Sequence, residues 1–142
     1  MMILQLLLGF LGAISLIAIA RIQPDYERRV LAVGLAIAPL IYVGFAFLGE
    51  ANQSWLITEL VGVGIYGFFA VMGLWFSTGW LILGWLAHPV WDVGLHFAGA
   101  GTAYTPVWYA IVCLSLDLTI AAYLGGRQTE LIKLNSSKPD AA

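Results

Sequence analysis

Three ionisable residues recur at one-turn spacing in the second half of this sequence: His88, Asp92 and His96, at i, i+4 and i+8. On a helix that spacing makes one stripe, so two imidazoles and a carboxylate face the same way. Two further stripes carry compatible groups. Glu59 and Tyr66 are spaced i, i+7, and Cys113 and Asp117 are spaced i, i+4. Imidazole with carboxylate suits a divalent transition metal. The same groups can relay protons, because an imidazole titrates near neutral pH and a neighbouring carboxylate orients it. The expected catalytic set is therefore His88, Asp92, Asp117 and Glu59, with His88 as base or ligand. The expected metal set is His88, Asp92 and His96. Trp85, Trp91 and Tyr66 are expected to wall the pocket or hold a cofactor. Tyr66 and Cys113, each taken alone, read as packing residues. No nucleophile motif, Walker loop or HExxH accompanies them, so no reaction follows.

These residues sit in an apolar chain. Of 142 residues, 61% are hydrophobic and 10% charged, whereas a soluble domain carries roughly 45–50% and about 25%. That excludes a soluble globular domain and a disordered chain. The net charge of −2, with no basic patch, excludes a nucleic-acid binder. The single cysteine excludes a disulfide framework and a CxxC motif. An integral membrane protein remains, with the lipid bilayer as its first partner.

A spanning helix needs about 20 mostly apolar residues. Five segments qualify: 2–20, 30–48, 55–75, 80–98 and 106–124. The long run from Trp55 to Ala98 is divided at Phe76-Ser77-Thr78-Gly79-Trp80, a glycine among hydroxyls and tryptophans. Pro106 suits a first helical turn, and Gly125-Gly126 is expected to end the last helix. The expected organisation is a five-helix transmembrane domain over 1–126 and a polar cytoplasmic tail over 127–142, disordered around Asn135–Pro139. Lys and Arg test the count. Arg21, Arg28 and Arg29 lie in the first loop, and Arg127, Lys133 and Lys138 in the tail. Five spans place all six on one side. The positive-inside rule then sets the N-terminus outside and the C-terminus in the cytoplasm. A cleaved signal peptide is the rival reading of the first span, given Ala18-Ile19-Ala20. Its missing n-region charge and the trailing Arg21 argue against it.

Ionisable residues within a bilayer cost about 2.5–3.5 kcal/mol each on insertion scales. The economical arrangement turns the three stripes inward as one polar seam. It would descend from the outer surface, where His96 and Glu59 form the mouth, to His88, Asp117 and Tyr66 near the midplane. Pro89 is expected to kink the helix just after His88. The competing reading is hydrogen-bond glue between helices, though such bonds average under about 1 kcal/mol. Gly62, Gly64 and Gly67 in the third span, and Gly34 and Ala38 in the second, read as close helix packing. Trp55, Trp75, Trp80 and Trp108 read as an interfacial belt.

The stretch Gly84-Trp85-Leu86-Ala87-His88-Pro89-Val90-Trp91-Asp92-Val93-Gly94-Leu95-His96 resembles the GW-x-x-H-x-x-WD-x-x-HH signature of small bacterial membrane proteins in domain-of-unknown-function family 6010. The likeness extends over the third to fifth spans, through Trp55, Glu59, Cys113 and Asp117. It marks Glu59, Trp85, His88, Trp91, Asp92, His96 and Asp117. Leu95 departs from it, standing where the family often has the first of two histidines. The resemblance implies a bacterial inner-membrane or thylakoid location and no particular activity. Two functions are therefore expected. One is a metal- or proton-handling site, in an enzyme or transporter, open to the non-cytoplasmic side. The other is a non-catalytic subunit or assembly factor of a larger membrane complex, as a homo-oligomer or with other chains. There His88 would ligate haem or a chlorophyll.

Overall fold

The computed structural model describes Met1–Ser136, with side chains through Glu130. Five helices follow in order: α1 (Met2–Ile22), α2 (Glu27–Leu48), α3 (Gln53–Trp75), α4 (Thr78–Asp92) and α5 (Val107–Ser136). Short 3-10 turns cover Pro24–Tyr26 and Ala100–Ala103, and a π-helical turn, Val93–Phe97, prolongs α4. By length and composition α1, α2, α3 and α5 can each cross a membrane. The remaining helix, α4, has 15 residues before its π turn begins.

Each helix packs on its sequence neighbour, and α1 closes the ring against α5. The ring is inside-out compared with a soluble bundle. Leu7, Leu11, Val33, Ile41, Phe68 and Val90 are exposed, while Glu59, His88, Asp92, His96, Thr105 and Asp117 are buried. Lipid solvates the first set, and only the bundle interior can satisfy the second. One half of the interior is apolar, built on Ala13, Leu31, Leu35, Leu81, Trp85, Ile120 and Leu124. Small residues admit close crossings there. A Cβ on Gly9 would strike the Val112 carbonyl of α5, and one on Gly84 would lie 2.9 Å from Phe69 Cβ.

Several helix limits differ from the sequence reading. Gly125 and Gly126 do not end α5, which runs on to Ser136. A glycine stop needs a left-handed residue, and no described glycine has positive φ. The helix therefore carries Arg127 to Glu130 beyond the apolar part. Asn135 and Ser136 are helical, and the rest of the expected disordered stretch lies outside the described residues. At the other end of the first loop, Pro24–Tyr26 leads straight into α2, which starts at Glu27. The α geometry persists through Pro89 to Asp92, and the change to π bonding comes one turn after the proline. Gly64 and Gly67 pack nothing, since a Cβ on either would meet no atom within 4 Å. Gly62 does pack, with Trp91 Cζ2 3.2 Å from where its Cβ would stand.

Candidate functional site

Four helices supply the polar half of the interior. α4 presents His88 and Asp92 one turn apart, and α5 crosses it so that Asp117 meets them. His88 Nδ1 lies 2.8 Å from Asp117 Oδ2, within hydrogen-bond range. The same nitrogen lies 3.3 Å from Asp92 Oδ2. That second pair is a close contact without hydrogen-bond alignment, since both Asp92 oxygens lack a partner among the described residues. Donor atoms of the three residues lie within 4.8 Å of one another, and all three side chains are buried.

Aromatic rings enclose this centre. Tyr66 of α3 sets its ring edge-to-face with the His88 imidazole at 4.7 Å, and its hydroxyl donates to the Ala87 carbonyl at 3.3 Å. Tyr42 of α2 lies 6.1 Å from His88 on another side. Trp91 meets the Tyr66 ring edge-on at 6.2 Å and lines an outer groove between α3 and α4. Trp85 sits instead in the apolar core, against Gly34.

His96 falls outside the His88–Asp92–Asp117 group and forms a second cluster. Its Nε2 lies 3.4 Å from Glu59 Oε1 of α3, and its ring stacks on Tyr42 at 4.2 Å. Tyr42 therefore lies between the two imidazoles. The Tyr104 hydroxyl donates to the same Glu59 oxygen. Burial, and then the Glu59 carboxylate beside it, raise the Tyr104 hydroxyl above the ordinary tyrosine range, so it stays a donor. The connection from α4 to α5 lies directly on His96. A Cβ on Gly101 would stand 2.6 Å from His96 Nδ1 and from the Leu95 carbonyl, so the close approach requires glycine.

The π turn separates the clusters. Its wider i→i+5 bonding, seen in Ala98 N–H to the Val93 carbonyl at 2.9 Å, changes the angular step between Asp92 and His96. The i, i+8 stripe holds only if the α-helix continues. The expected open mouth is also closed in this structure. His96 is 0% exposed and Glu59 1%, beneath the Gly99–Thr105 connection. Sequence reasoning missed Tyr42, Tyr104 and Gly101. Tyr42 had no charged neighbour on its own helix to flag it, and the loop residues had no periodicity to place them.

A family model described as a family of unknown function, DUF6010, matches residues 3–128. The chain belongs to that family, and the likeness runs through all five helices, beyond the third to fifth. No curated protein and no solved structure matches the chain.

Proposed function

We propose that this membrane bundle binds one divalent transition-metal ion between His88, Asp92 and Asp117. One observation carries the reading: two buried carboxylates converge on a single imidazole, with donor atoms from all three within 4.8 Å. Charge balance supports a cation. Two carboxylates with a neutral imidazole neutralise a divalent ion, whereas an imidazolium would neutralise only one of them. Uncompensated buried charge costs several kcal/mol per ion. Hydrogen bonding agrees. His88 Nε2, both Asp92 oxygens and Asp117 Oδ1 have no hydrogen-bond partner among the described residues. Each such buried atom costs about 1–3 kcal/mol unless something bonds it. Imidazole and carboxylate donors suit first-row ions of the manganese, iron and zinc kind. Such an ion, when bound, would supply Lewis acidity or an activated water. Tyr66 and Tyr42 fix the imidazole by ring contacts, and the apolar half of the bundle excludes bulk water.

A second reading has one observation of its own. The 2.8 Å contact of Nδ1 with Asp117 leaves Nε2 as the other imidazole nitrogen, the arrangement of an oriented proton carrier. Metal content separates the two. Full-length protein purified in mild detergent should carry, or take up from Mn²⁺ or Zn²⁺, one ion per chain. Asp117→Asn should lose it while the helical circular dichroism stays unchanged. Folded wild-type chain that takes up no first-row divalent ion would remove the metal reading and leave the proton carrier.

The proposed orientation puts the N-terminus outside and the C-terminus in the cytoplasm of a bacterial membrane, because all basic residues then share one side. A reporter fused after Ala142 should be active only in its cytoplasmic form, and activity of an exported reporter there would reverse the orientation.

A further inference from the structure

The other end of the bundle carries its own polar cavity. A cleft of about 220 Å³ opens where α2 begins, α4 begins and α5 leaves the apolar zone, lined by Pro24, Glu27, Arg28, Thr78, Arg127 and Gln128, with Leu124 at its floor. We propose that this cleft binds the phosphodiester headgroup of an anionic phospholipid, with Arg28 and Arg127 as the paired cations. Four observations support it.

The guanidiniums are only partly used. Arg28 Nη2 donates to the Leu74 carbonyl at 2.9 Å, which anchors the side chain across the end of α3. Among the described residues that bond leaves its other N–H donors without a partner, out of five on a guanidinium. Arg127 lies 3.7 Å from Glu27 and 3.8 Å from Glu130, ionic contacts too long for hydrogen bonds. Neutral donors stand beside them. The Thr78 hydroxyl and the Gln128 amide line the cleft and make no hydrogen bond among the described side chains. Thr78 also opens α4, and the preceding Ser77 makes no side-chain cap, so the Thr78 and Gly79 N–H groups have no partner among the described residues and can meet an anion, while Trp80 N–H donates to the Ser77 carbonyl at 3.1 Å. The one acidic lining residue is occupied: Glu27 Oε1 accepts the Tyr123 hydroxyl at 2.6 Å, and Oε2 faces Arg127. Finally, the cleft lies at the rim of an apolar bundle, where Ile22 and Trp75 are exposed. A lipid headgroup is at hand at that level, and anionic lipids are drawn to basic pockets between helices.

The test uses the full-length protein in neutral detergent. Native mass spectrometry and thermal unfolding would be followed with added phosphatidylglycerol, with phosphatidylcholine, and with inorganic phosphate alone. Phosphatidylglycerol should bind one per chain and at least tenfold more tightly than phosphatidylcholine, and inorganic phosphate should not displace it at millimolar concentration. The double variant Arg28→Gln, Arg127→Gln should lose that preference. Arg29→Gln should keep it, because Arg29 lies over the Tyr26 ring at 5.1 Å, outside the cleft. Gln128→Trp, which fills the cleft and keeps both cations, should lose it too, which guards against a fold failure in the double variant. Equal binding of the two lipids, or a preference that survives in both cleft variants, would overturn the proposal. Protection by inorganic phosphate without any lipid preference would overturn the lipid source and point to a soluble phosphoryl ligand. Metal content is unaffected in every arm, so this outcome is separate from that of the metal centre.

Discussion

His88 and His96 lie eight residues apart on one continuous helical rod, each is completely buried, and each faces a carboxylate from a neighbouring helix. Their surroundings differ in charge balance. His88 meets two carboxylates, Asp92 and Asp117, and among the described residues no Lys or Arg pairs with either. His96 meets one carboxylate, Glu59, which already accepts the Tyr104 hydroxyl. The first cluster sets two carboxylates against one imidazole. In the second, one carboxylate faces one imidazole and accepts one neutral donor. A buried polar group is stable only when neutralised and hydrogen-bonded. The first cluster, with two carboxylates on one imidazole, is the one proposed to hold a cation; the second, where both His96 nitrogens also have no hydrogen-bond partner among the described residues, joins α3 to the α4–α5 connection through Glu59 and Tyr104. Equal residue types are thus proposed to take unequal roles, one as a metal centre and one as a latch.

The largest expected effect would break that contrast most directly. Asp117→Asn and His88→Ala should each weaken binding of a divalent ion by more than about 100-fold, beyond the 10–100-fold typical of groups that only support ligands. His96→Ala should change it by less than tenfold, and equilibrium metal titration of the folded variants reads both. If the His96 variant loses the ion as completely as the His88 variant does, the two clusters are one site.

A medium effect concerns the latch. Gly101→Ala places a methyl group 2.6 Å from His96 Nδ1 and the Leu95 carbonyl, and overpacking of this kind costs about 1–3 kcal/mol. Thermal unfolding in detergent should show the loss, with metal content retained. Tyr104→Phe deletes the donor to Glu59 and leaves that buried carboxylate with His96 alone, a change of about 1–3 kcal/mol. Unfolding midpoints unaltered in both variants would mean that the connection does not hold the end of the bundle. The smallest effect is a control. Gly64→Ala adds a methyl into open space, so stability should stay within about 0.5 kcal/mol, as for surface changes away from special features.

Much of the architecture was legible because lipid imposes simple rules. Apolar length, tryptophan positions and the segregation of six basic residues all pointed to five spanning helices; among the described residues the structure has five helices in a closed ring, four of them long and apolar enough to cross a membrane. The residues of the candidate site were legible for the same reason: Glu59, His88, Asp92, His96 and Asp117 stood out because charge in an apolar segment is rare. Where the reading failed, it relied on idealised helices. The stripe from His88 to His96 assumed α geometry across Val93–Phe97, where the chain takes a π turn. Gly125-Gly126 was read as a stop, although nothing at that surface forces a left-handed residue.

What the sequence by itself determined about this protein is which residues must leave the lipid, since burial energy depends on residue type and on the apolar length around it. Only the tertiary structure decided which of them meet. Pairing depends on how helices cross, and crossing angles follow from contacts made far apart in the chain. Asp117 joins His88 because α5 packs on α4, and Tyr42 comes between the imidazoles because α2 packs against α3 and α4. The seat of Gly101 on His96 exists only once the α4–α5 connection has folded back over the π turn.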